Sequence, residues 1–383
     1  EAELDERKDK IRRMQNSFSW KVPGPLRFLR RLRNSLLNDR VRQQDKVKSS
    51  VVHRETPLTP SIMEPLSAFE FPSTHTVGKT IAKQKRSDRQ TGMVLHWLIP
   101  DFGIGSGGHT TIFRMISWLE QFGHVNHLWI CGGTQYGTAE KARRIILRHF
   151  FPLNAKVNLL LRPEETELDG DGLICTSYDT CYYARATPFA GERFYFVQDH
   201  ESEFSATGSH HFLAAETYKF GLHCITAGKW LAEKVASVGG SVVGRFDLAV
   251  DRKLFFENSN KALSPIPRIA AYARGGTPRR LTELTIFALN ILVREGLSFE
   301  VEFFGDRALP VPAAFPHRVR GVLEPAALGD LYRTCDLGCV FSATNYSLVP
   351  LEMVACGLPV VEFDGENTRK TYPENAVAFA KPT

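Results

Sequence analysis

The chain has 383 residues, 43% hydrophobic and 23% charged, with 29 Gly and 21 Pro. This is ordinary globular composition; it excludes wholesale disorder, a collagen-like fibre and a disulfide-stapled miniprotein, and the length suits two domains of roughly 100–200 residues each. Net charge is +6, but residues 1–50 hold 14 Lys/Arg against 7 Asp/Glu and the rest holds 34 against 35, so the body is neutral. A nucleic-acid-binding core, which would spread cations along a groove, is therefore not expected.

The opening EAELDERKDK lacks the apolar stretch of a signal peptide and begins without Met, so the start reads as trimmed. Nowhere is there an apolar run of about 18 residues to span a membrane. In LRFLRRLRNSLL (26–37), Leu26, Phe28, Leu29, Leu32, Leu36 and Leu37 recur at helical spacing, with Arg27, Arg30, Arg31 and Arg33 between them. Such a basic amphipathic helix packs on its own domain, rests on an anionic membrane surface, or meets a protein or polyanionic partner. Residues 38–90 are polar and Pro-broken, as in a linker, so 1–90 reads as a basic helical segment with its linker.

From Met93 the pattern changes. The apolar run MVLHWLIP (93–100), the Gly-rich loop DFGIGSGG (101–108) and the helical spacing of HTTIFRMISWLEQF (109–122) form a βα unit. Further strand-like runs are HLWIC (127–131), VNLLL (157–161), LICTS (173–177), RFYFV (193–197) and HCITA (223–227), with helical stretches at 139–150 and 228–237. Residues 246–266 read as a connection. A second series follows, with strands at 268–273, 299–305, 336–341 and 359–363 and helices at 280–296, 326–335 and 348–357. Alternation of this kind predicts an α/β chain of two doubly wound, Rossmann-like domains, 91–245 and 267–383, facing a cleft where such sheets bind ligands. The seven Cys (131, 175, 181, 224, 335, 339 and 356) are scattered without a CxxC and read as free thiols of a reducing cytoplasm.

Most of the chemistry lies in the second series. In VFSATNYSLVPLEMVACGLPVV (340–361) a strand, a short polar loop and a helix start follow one another. The unpaired N–H groups of Ser347, Leu348 and Val349 at that helix start suit a phosphate. Glu352, one turn later, is placed to accept from ribose hydroxyls, and its apolar neighbours demand a bonded partner. In YARGGTPRR (272–280), Arg274 and Arg279 are spaced to fork around a diphosphate, with Arg280 a weaker candidate.

These segments resemble the retaining glycosyltransferases of family 4, which have the GT-B fold; the likeness runs from about Met93 to the C-terminus. LVPLEMVACGLPVV is close to the signature around the family's second acid, and Arg274 and Arg279 match its R-x4-K pair with Arg for Lys. FFGD (303–306), containing Gly305, and the stretch from Arg318 to Ser342 match the intervening sequence, in which Gly321, Val322 and Leu323 would read the nucleotide base. AVDRKLF (249–255) matches the element opening the interdomain crossing, and Gly107 and Gly108 the N-domain glycine pair near the donor diphosphate. The family's E-x7-E pair is incomplete, because Thr344 stands eight residues before Glu352. That departure suggests a 6-deoxy sugar, with Thr344, Asn345 and Tyr346 in the donor loop. FYFVQDHESEF and the ATNYS loop look most like S-layer and cell-surface rhamnosyltransferases of the WsaF type. The resemblance implies dTDP-L-rhamnose as donor and a lipid-linked rhamnan as acceptor; no cofactor is expected, and no essential metal, because the DxD string Asp169-Gly170-Asp171 reads as a turn. It also makes 91–245 the acceptor domain and 267–383 the donor domain, in an enzyme of the cytoplasm that meets the inner face of the plasma membrane through its basic segment. The family continues beyond Lys381-Pro382-Thr383 with further helices, so the C-terminus is expected to be incomplete.

In the first series, QDHE (198–201) ends a strand, which puts Asp199, His200 and Glu201 at the cleft as groups that orient an acceptor or donor sugar; Asp179 is a weaker candidate. The lone Gly-rich loop lacks the downstream acid of a dinucleotide site. Asp169-Gly170-Asp171 spells a DxD metal motif but reads as a turn.

Overall fold

The computed structural model describes residues 92–258 and 265–382. The basic helix expected at 26–37 and the linker at 38–90 lie outside the described residues. Among the described residues no helix is long and apolar enough to cross a membrane, and all seven Cys are buried thiols.

The first domain is a seven-stranded sheet of β1 (Val94–Ile99), β2 (Val125–Cys131), β3 (Lys156–Leu160), β4 (Gly172–Cys175), β5 (Glu192–Val197), β6 (His223–Ala227) and β7 (Ser241–Phe246). Every pairing is parallel and the order is β3-β2-β1-β4-β5-β6-β7. Its helices are α1 (Gly107–Gln121), α2 (Ala139–His149), α3 (Tyr178–Ala186), α4 (Ser209–Thr217) and α5 (Lys229–Ser237). A sheet covered on both faces needs strands apolar on both faces; β1 meets this with five of its six residues buried. Across from it, α1 buries Ile112, Phe113 and Ile116, each worth about 1.5–3 kcal/mol of transfer free energy.

The second domain has six parallel strands in the order β10-β9-β8-β11-β12-β13: β8 (Arg268–Tyr272), β9 (Glu300–Phe304), β10 (His317–Val319), β11 (Leu337–Val340), β12 (Val360–Phe363) and β13 (Ala378–Ala380). Around them lie α6 (Thr282–Arg294), α7 (Pro325–Thr334), α8 (Leu348–Ala355) and the short α9 (Glu366–Thr371). Four apolar clusters result, two on the faces of each sheet. The strands absent from the sequence expectation, β7, β10 and β13, are edge strands. β7 alternates exposed and half-buried residues, and β10 is exposed throughout, so neither carries the continuous apolar run of a central strand.

In both sheets the strand order reverses at one place, between β1 and β4 and between β8 and β11. Loops that diverge from such a switch point open a crevice at the carboxyl ends of the strands. Those loops are 100–106 and 176–177 in the first domain, and 273–281 and 341–347 in the second.

Candidate functional site

A cavity of about 660 Å³ lies between these loops of the two domains, a size suited to a small-molecule ligand. Its lining brings together Gly107, Gly108, Asp199, Arg274, Arg279, Gly305, Val322, Leu323, Tyr346, Ser347, Leu348, Val349 and Glu352. Arg280 and Glu201 line it as well.

The anion-binding end is built by two turns. Arg274 and Arg279 sit in the loop after β8, where Thr277 N donates to Arg274 O at 2.9 Å and a 3₁₀ turn covers Pro278–Arg280. Leu281 closes this loop with φ +47°, a left-handed conformation that strains a side-chain-bearing residue by about 1–2 kcal/mol. Facing the arginines is the head of α8, where Ser347 caps the helix by accepting from Val349 N at 3.3 Å. Burial pulls the Arg279 pKa down, while Asp199 opposes that shift. Arg280 is drawn aside, its Nη1 donating to Ser342 Oγ at 3.3 Å.

Glu352 is buried within α8. Burial pushes its pKa up to about 8, against the opposing pull of Arg114 and the Tyr332 hydroxyl. Arg114 on α1, which no local signal announced, acts on this carboxyl through its charge rather than by direct contact. Arg114 donates to Ala249 O and lies over the Phe151 ring, 5.5 Å from its centroid.

Two loops meet across the cleft. Gly105 has φ +82°, and a Cβ there would stand 2.5 Å from Val322 Cγ1. Only glycine suits both that conformation and that approach. Gly305 is constrained similarly, with φ +105° and an imagined Cβ 2.8 Å from Ala273 O; its N–H donates to Gly321 O at 2.8 Å. Gly107 has open space where its Cβ would be, and Gly108 faces the Gln198 amide at 3.6 Å. At the head of α1, burial lowers the His109 pKa to about 4, so the ring is neutral at physiological pH; Ser106 Oγ lies 2.8 Å from its Nδ1.

Four expected site residues do not line the cavity. His200 is stacked on Tyr218 with ring centroids 5.5 Å apart, and its Nδ1 is 3.1 Å from Glu203. The chain turns sharply after Asp199, so consecutive residues leave in different directions. Thr344 and Asn345 turn toward Asp199 and Gln198 instead, and Gly321 contributes its carbonyl to Gly305 behind the loop. Asp179 is also outside, accepting from Ser177 Oγ in the first turn of α3. Asp171 accepts from Val94 N at 2.9 Å, so its half of the DxD motif pins β1 at a turn. Glu201, by contrast, enters the cavity: it accepts from Tyr178 N at 2.7 Å, and burial raises its pKa to about 8.

Residues 267–383 match the family model described as the WsaF C-terminal domain. The chain is similar to the O-antigen biosynthesis protein RfbC of Myxococcus xanthus, with 32% identity over 303 residues. That match covers 75% of this chain and 23% of the relative, so the chain spans about a quarter of the relative's length. Among solved structures it resembles a sucrose-phosphate synthase from Thermosynechococcus elongatus, at TM-score 0.53 and 10% identity, covering 76% of this chain and 86% of that one. A glycosyltransferase from Rickettsia africae is similar at TM-score 0.52 and 11% identity, covering 77% and 85%. At such identities the structures speak for the fold alone. Residues 267–383 thus carry the WsaF C-terminal domain, and the two parallel α/β domains resemble the GT-B fold.

Proposed function

We propose that the protein transfers L-rhamnose from dTDP-L-rhamnose onto a growing cell-surface polysaccharide, with retention of anomeric configuration. The observation that carries this reading is the convergence of Arg274, Arg279, the head of α8 and Glu352 on one cavity between two switch points. The diphosphate would lie between the guanidiniums and the α8 amides, with Glu352 toward the ribose and Val322 and Leu323 toward the base. As the glycosidic bond breaks, negative charge grows on the leaving phosphate. Fixed cations and amides in a closed site stabilise that charge without reorganising, and no metal is invoked. The leaving phosphate takes the acceptor proton, so no carboxylate need act as nucleophile.

Similarity to an O-antigen biosynthesis protein supports a glycan acceptor, and the cleft's first-domain wall is where that acceptor would enter. The basic segment at 26–37 would bring the enzyme to a lipid-linked acceptor at the membrane surface. Thermal unfolding with dTDP, UDP and GDP tests the donor, because a ligand that binds the folded state raises stability by mass action. A shift with dTDP and rhamnosyl transfer from dTDP-L-rhamnose are expected. A shift with UDP or GDP alone would reassign the donor, and none with any nucleotide would leave a glycan-binding protein rather than an enzyme.

A further inference from the structure

Asp199 follows β5 in the first domain and is 7% exposed. Its Oδ1 accepts from the neighbouring His200 N at 2.9 Å, and the carboxylate also reaches the second domain. Oδ1 accepts from Asn345 N at 2.8 Å, and Oδ2 accepts from Thr344 Oγ1 at 3.0 Å. Oδ2 also lies 3.3 Å from Arg279 Nε, an ion-pair distance with no hydrogen bond aligned to that nitrogen. The Arg279 guanidinium in turn covers the Phe204 ring at 3.7 Å. A cation whose backbone belongs to the second domain is thus oriented by two side chains of the first.

The neighbouring loop is tied to the same point. Ala343 N donates to Arg279 O at 3.0 Å, so the 341–347 loop and the arginine share a backbone link. Asn345 Nδ2 donates to Gln198 O at 2.8 Å and to Ala227 O at 3.1 Å, at the ends of β5 and β6. All of these contacts except the Ala343 link cross the cleft. Separation of the two domains would break them and expose both charged groups to water.

We propose that Asp199 is the positioning residue for Arg279: its carboxylate, held on the first domain and bonded to the 344–345 turn of the second, aims the guanidinium across the cleft. The pairing engages Nε and leaves the two Nη groups for a diphosphate. This rests on the transferase reading above.

The experiment is a kinetic cycle on the full chain, following dTDP release from dTDP-L-rhamnose in the presence of a rhamnose-terminated lipid-linked oligosaccharide. Asp199→Asn keeps the size and removes the charge. It should lower kcat by between roughly threefold and a hundredfold, the range of coupling seen between contacting residues, with donor KM changing less. In an Arg279→Ala background the same change should have little further effect. Thr344→Glu alone sets two carboxylates side by side and should also be impaired. Combined with Asp199→Asn it returns one negative charge beside Arg279 and should recover most of kcat. A purely structural aspartate would not be rescued in that way. Should Asp199→Asn fail to fold, Thr344→Val, which deletes only the hydroxyl link, is taken through the same Arg279→Ala cycle. Additive losses, unchanged or raised kcat, or no rescue would overturn the positioning role while leaving the transferase reading intact. A wild-type protein that binds none of dTDP, UDP and GDP and transfers no sugar would bring down both.

Discussion

Glu352→Gln separates stability from function at the cavity. In the folded chain burial raises this carboxyl from 4.5 to about 8. The native state therefore holds a proton that the unfolded chain gives up, and stability falls as pH rises between those two values. Below the lower value both states are protonated and no penalty exists. At about 1.4 kcal/mol per pKa unit, the penalty is on the order of 3 kcal/mol at pH 7. The substituted amide cannot ionise, so the variant should be flatter with pH. It should be more stable than wild type by about 1–3 kcal/mol at pH 8, after allowing for an amide whose second donor finds no partner. At pH 5 the gain should vanish. Denaturant unfolding of both proteins at pH 5 and pH 8 measures the difference; Glu201, at about 8, slopes both curves and cancels. The same variant should lose the nucleotide-induced thermal shift, the pattern of a residue kept for binding at the expense of stability. An equal stability difference at the two pH values would refute the reasoning.

Arg279→Ala should reduce kcat by about 100-fold or more, the scale for deleting a charge-stabilising donor; initial rates at saturating donor read it, and turnover within about threefold of wild type would remove Arg279 from the chemistry. Gly105→Val should strain a φ of +82° and drive a side chain into Val322, holding the two loops apart. Donor KM should rise while the far-UV circular dichroism spectrum stays native, and an unchanged KM would show that this contact is idle. Tyr346→Phe removes the acceptor that the half-buried Leu248 N uses at 3.0 Å and should destabilise by about 0.5–1.5 kcal/mol, the net worth of an ordinary hydrogen bond; urea midpoints measure it.

Several features were legible in the sequence because they are local. A strand covered on both faces is mostly apolar, so β1, β6 and β8 declare themselves, and the helix start at 348 follows from the serine before it, whereas the first helix begins at 107, two residues inside the expected loop. The spacing of Arg274 and Arg279 and the odd burial expected of Glu352 are likewise written in short segments. The exposed strands β7 and β10 were not legible, since half-exposed edges lose the apolar run. Nor were the partners across the cleft. The charge of Arg114 acting on Glu352, Val322 against Gly105 and Asp199 for Arg279 each join residues from distant parts of the chain, and nothing in any one segment announces its mate. The sequence placed Asp199 and His200 together at a strand end; the fold sent one to the opposite domain and the other onto Tyr218. Local composition determines which elements form and which carry charge, because backbone geometry and burial act over a few residues. Which charges meet is decided by how two separately folded sheets close on one another, a long-range packing that no local pattern encodes.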